Sequence, residues 1–166
     1  MAEAIGETYA GLLEHSLKKS SLEDSQFVLK ETLQTLFELM GSSNTTLQIG
    51  AAICIQKIIQ TGPSLHFSSV VPYLVEQLVG MLKKKKSACG LQCLECLMGL
   101  VLYAHKEIPP HLDAILGVII EQVCNLSPFV RKAALDTIQS LCVLCGDEMK
   151  YYKDEMIETI NVVRND

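Results

Sequence analysis

The chain contains no tryptophan, and its aromatic side chains amount to four Phe and five Tyr in 166 residues. Stacking platforms for single-stranded nucleic acid are therefore almost without material. Also missing is any uninterrupted apolar stretch of about 18 residues, so a membrane-spanning helix is not expected. The N-terminus, MAEAIGETYAGLLEHSLKK, carries early acids and lacks the basic start of a secretory signal peptide. There is no Gly-rich phosphate loop, no Gly-x-Ser-x-Gly and no His-Glu-x-x-His. No segment alternates apolar and polar residues with a period of two over a useful length, which argues against β-strands. These absences leave catalysis without support and direct attention to all-α architectures.

The seven cysteines are an odd number, spread among apolar positions of helical spacing. That favours a reducing compartment over a secreted disulfide scaffold. Cys89, Cys93 and Cys96 resemble metal-ligand spacing, as do Cys142 and Cys145. Zinc needs about four converging ligands, commonly from turns, whereas these pairs fall inside apolar helices. Cysteine as a small buried hydrophobe accounts for them. His105 and His111 bracket a Pro-Pro linker as solvated connector residues, and the acidic pair Asp147-Glu148 suits the positive end of a helix. No metal and no cofactor are expected.

What the chain does have is a 41-residue spacing. Leu33, Leu74, Ile115 and Met156 form one series, and Phe37, Leu78, Ile119 and Ile160 a second. Leu12, Ile53, Leu94 and Leu135 form a third, and Ile59, Leu100 and Leu141 a fourth. A column of small residues, Gly11, Ala52, Cys93 and Ala134, precedes the third series. Self-similarity at this period with helical spacing inside each unit is the mark of stacked helix pairs. The expected fold class is all-α, a right-handed α-α superhelix of about four helix pairs filling a single domain over residues 1–166.

Punctuation places the helices near 2–17, 21–40, 45–61, 68–84, 88–104, 111–124, 127–145 and 147–163. Gly41 stops one helix and Gly62-Pro63 another, while Pro72 and Pro128 fit first turns. Ile108-Pro109-Pro110 reads as the clearest linker, because residues before proline avoid helical geometry. The turns near 41–45, 83–87 and 125–128 then join the two helices of each pair and line up along one edge. Apolar residues near Val162-Val163 suggest a further repeat, and hence a piece of a longer protein.

The net charge is −5, yet Lys83-Lys84-Lys85-Lys86 and Arg131-Lys132 hold six of the fourteen basic residues with no acid inside either cluster. A lone lysine run is ordinarily a solvated turn. Here both clusters fall on the short-turn edge one repeat apart, and recurrence on an edge is how repeat proteins build binding surfaces. A local basic edge on an acidic body can orient an acidic partner.

Two segments carry a family resemblance. Phe129-Val130-Arg131-Lys132-Ala133-Ala134-Leu135 resembles the second helix of a HEAT repeat, with a basic residue before paired alanines. Leu47-Gln48-Ile49-Gly50-Ala51-Ala52-Ile53-Cys54-Ile55 resembles the repeats of plant Tortifolia/Spiral-type microtubule proteins, whose HEAT solenoid is related to TOG domains. The resemblance implies a non-catalytic microtubule- or tubulin-binding domain, cytoplasmic and cytoskeletal, that uses the short-turn edge. The positions matching that edge are Asn44 in the first turn, Lys83, Lys84, Lys85 and Lys86 in the second, and Phe129, Arg131 and Lys132 in the third. TOG domains typically place a tryptophan in the first such turn and have about six repeats, so this chain departs from them on both counts. The alternative is a HEAT or armadillo adaptor holding a protein or peptide in its concave groove. No nucleic acid or membrane partner is expected, and exposed solenoid ends offer a route to self-association.

Overall fold

The computed structural model describes residues 22–61, 68–84, 89–154 and 156–158, with single positions at 11, 15 and 161. Most of the expected first helix, and Lys85, Lys86, His66 and Ile160, lie outside the described residues. Among the described residues six long helices follow one another: α1 (Leu22–Met40), α2 (Thr45–Thr61), α3 (Val71–Leu82), α4 (Gly90–Tyr103), α5 (Leu112–Val123) and α6 (Pro128–Leu144). A short helix α7 (Gly146–Met149) and a 3-10 turn (Lys150–Tyr152) come next. No strand occurs among the described residues.

Each short turn folds a helix back on its predecessor, giving the pairs α1/α2, α3/α4 and α5/α6. Between pairs, α2 packs on α4 and α4 on α6, while α3 packs on α5 in the other layer. The result is a two-layer stack of helix pairs, consistent with an α-solenoid. An edge-on contact between the Phe37 and Tyr73 rings, 5.8 Å between centroids, ties α1 to α3.

Burial explains why these segments are helical. Threonine and isoleucine crowd α2, and β-branched side chains lower intrinsic helix propensity. Ala52, Ile55, Ile58 and Ile59 are buried on the faces that meet other helices, so tertiary packing overrides propensity. Leu33, Leu74, Ile115 and Met156 are all buried, as are Phe37, Leu78 and Ile119. Ile59, Leu100 and Leu141 are buried too, and so are Ala52, Cys93 and Ala134 from the small-residue column. The third series is different: Leu94 is buried, Ile53 is half-buried and Leu135 is exposed.

Two local expectations need correction. Ile108, although it precedes Pro109, has helical backbone angles (φ −76°, ψ −37°) and is fully buried. The linker is two 3-10 turns, His105–Glu107 and Pro109–His111, with the Ile108 side chain anchored in the core. Secondly, the last helix does not run on from Asp147, because the 3-10 turn at Lys150–Tyr152 interrupts it. Gly41 does stop the first described helix as expected, and no glycine among the described residues has positive φ. Gly41 therefore ends α1 without a left-handed residue, its N–H being shared between the Phe37 and Glu38 carbonyls at 3.1 and 3.0 Å.

Candidate functional site at the short-turn edge

The three short turns are built differently. In the first, the Asn44 side-chain oxygen accepts hydrogen bonds from the backbone N–H groups of Thr46 (2.9 Å) and Leu47 (3.3 Å). Asn44 is thus the N-cap of α2, satisfying donors that a helix start leaves open. Gln48 reaches back to donate to the Ser42 carbonyl. Sequence reasoning placed Asn44 on the edge and missed its capping role, although Asn before a helix is a recognisable signal.

In the second turn, Lys83 is the C-cap of α3 and Lys84 follows it, both exposed. Cations at a helix C-terminus complement its unpaired carbonyls, which is the structural reason for lysines here. The Lys84 ammonium lies 3.5 Å from the Met81 sulfur.

In the third turn, Ser127 holds the N-cap position with extended backbone and Pro128 opens α6, but the Ser127 hydroxyl makes no capping bond. The turn is tied from elsewhere. Asn125 accepts from the Ser127 N–H at 3.0 Å. The Arg131 guanidinium donates to the carbonyls of Asn125 (2.8 Å) and Leu126 (3.0 Å). Lys132 pairs with Asp136 at 2.6 Å, both on the surface. Of the two cations in this cluster, one is engaged by its own turn and the other by a neighbouring acid.

Between the second and third turns lies a groove of about 720 Å³. Lys83 and Lys84 line it from the end of α3, Gln92 from the first turn of α4 and Glu121 from α5. The third turn contributes Leu126, 97% exposed, and Phe129, 72% exposed. Of the expected site residues, the groove brings together Lys83, Lys84 and Phe129; Asn44, Arg131 and Lys132 are not in its lining. Leu126 and Gln92 were missed, because nothing in their sequence neighbourhood marks them before the two turns are brought side by side.

The cysteines offer no comparable site. Cys89, Cys93, Cys96 and Cys145 are buried, and no disulfide joins any of the seven cysteines. The Cys93 thiol is pushed strongly up by its contact with Cys89 (3.9 Å) and by burial. Burial, with Glu95 nearby, does the same to Cys96, whose sulfur lies 3.6 Å from the Ala52 carbonyl. Cys142 departs from the expected core reading, since it is exposed on α6. No cluster of three metal-ligating side chains occurs among the described residues. None of their helices is long and apolar enough to cross a membrane.

A two-layer stack of helix pairs, with Lys83, Lys84, Leu126 and Phe129 on one groove between its turns, is a helical-repeat domain. The family model described as TORTIFOLIA1 N-terminal matches residues 1–166, and the chain belongs to that family. Membership points to a microtubule-associated, HEAT-like and non-enzymatic domain. The chain is also similar to the serine/threonine-protein kinase TOR2 of Saccharomyces cerevisiae, with 27% identity over 142 residues. That match covers 82% of this chain and 6% of the kinase. The similarity spans a small part of that protein, so its activity does not come with it.

Proposed function

We propose that this domain binds microtubules without catalysis, through the short-turn edge. One observation carries the reading: Lys83 and Lys84 stand exposed beside the apolar Leu126 and Phe129 on a single groove. Exposed ammonium groups attract the acidic surface of a partner, and adjoining apolar side chains give the complex area to bury. Lys85 and Lys86 extend the positive run in sequence. Arg131 acts here as a positioning residue, fixing the turn that carries Leu126 and Phe129, and Lys132 has its charge offset by Asp136. Family membership supports the choice of microtubules as the partner.

The test is cosedimentation with microtubules, comparing the unaltered chain with Lys83→Glu, Lys84→Glu, Lys85→Glu and Lys86→Glu combined. Affinity should fall by at least about tenfold, on the order of 1.4 kcal/mol. Unchanged sedimentation of the reversed variant removes this edge and favours an adaptor surface along the helices.

A further inference from the structure

We propose that the groove between the second and third turns seats a short acidic peptide segment carrying one bulky apolar side chain. The inference rests on the reading of this edge as the partner-facing one, and it specifies what enters. Leu126 and Phe129 are among the most exposed large apolar side chains of the molecule. They belong to a turn held in place by Arg131 and Asn125, so their presentation does not require ordering on binding. A cavity near 720 Å³ falls in the range of pockets that enclose a small ligand or a few side chains.

Charge and hydrogen bonding narrow the occupant further. Lys83 and Lys84 favour carboxylates at the α3 end, while Glu121 on α5 disfavours them on its own side. The acids and the apolar residue of the segment are thereby given separate places. Gln92 lines the same groove, and its side-chain oxygen is buried without a hydrogen-bond partner. A buried acceptor left unpaired is costly. When the Gln92 side chain turns toward the groove it lines, the N–H groups of an extended peptide backbone are the donors that an acidic segment brings to that oxygen.

The probe is a fluorescein-labelled peptide of about eight glutamates with one central phenylalanine, compared with the all-glutamate peptide by fluorescence anisotropy. The phenylalanine peptide should bind at least about tenfold more tightly. Combined Leu126→Ser and Phe129→Ser should abolish that preference and leave the weak, salt-sensitive binding of the all-glutamate peptide. The helical circular dichroism of this variant should be unchanged, because both side chains are already exposed. Gln92→Leu should weaken binding of the phenylalanine peptide while holding or raising the melting temperature of the free chain. Equal binding of the two peptides, or a preference that survives loss of Leu126 and Phe129, overturns the proposal. Cosedimentation separates the two readings. Peptide binding without microtubule sedimentation defeats the microtubule assignment and leaves the groove, whereas sedimentation without peptide binding does the reverse.

Discussion

At the residue scale, the side chains that matter most are small. Gly99 on α4 faces Ile59 on α2, and a β-carbon there would lie 3.1 Å from the Ile59 γ2 carbon. Close approach of the two helices makes this position tight, so that a larger residue needs the Ile59 side chain to give way. Gly99→Val should destabilise the fold by about 1–3 kcal/mol, and Ile59→Ala should recover part of that loss when combined with it. Urea unfolding of the two single variants and the double variant measures the coupling. The cysteines give a second readout. Iodoacetamide reacts with thiolates, so Cys93 and Cys96, whose thiols are held up by contact and burial, should label slowly at neutral pH. Exposed Cys124 and Cys142 should label first, as seen by peptide mass spectrometry. Rapid labelling of Cys93 would mean that the α2/α4/α6 layer opens readily. The exposure of Cys142 was not legible from spacing, because it depends on which neighbours meet that flank of α6 in space.

At the scale of elements, helix starts that look alike in sequence behave differently. Asn44 caps α2 through two backbone N–H groups, whereas Ser127 caps α6 in position only. Asn44→Ala should cost about 1 kcal/mol, and Ser127→Ala should be close to neutral in the same denaturation experiment. Equal losses would contradict the hydrogen-bond assignment. Arg131→Ala removes two bonds to the carbonyls of the third turn. It should reduce stability, and it should weaken partner binding more at the Leu126/Phe129 end than at the lysines. Helix ends from α1 to α6 were largely legible because glycine, proline and apolar spacing act locally. Ile108 was not, since long-range burial of its side chain outweighs the extended preference that Pro109 imposes on it.

For the whole molecule, the net charge of −5 opposes binding to an acidic lattice, and only local fields favour it. Attraction at exposed lysines is screened within about 8 Å at physiological ionic strength. Microtubule sedimentation should therefore fall steeply as salt is raised from low to physiological concentration. The charge-reversed lysine variant should show a much flatter salt response. A salt response identical in the two proteins would mean that the lysine turn contributes no attraction.

The sequence by itself determined the all-α class, most boundaries of α1 to α6 and most of the residues that face the core, since these follow from local spacing and from the need to bury one face of every helix. It also brought the lysine turn and the Phe129 turn to one edge, because equivalent turns of a stack must lie side by side. Only the tertiary structure decided which of those side chains remain available. Arg131 is engaged by the carbonyls of its own turn and Lys132 by Asp136, while Leu126, Phe129, Lys83 and Lys84 are left on a common groove. The distinction is physical: burial has a period that one sequence displays, but the partner that a surface cation chooses depends on atoms a few ångströms away in space.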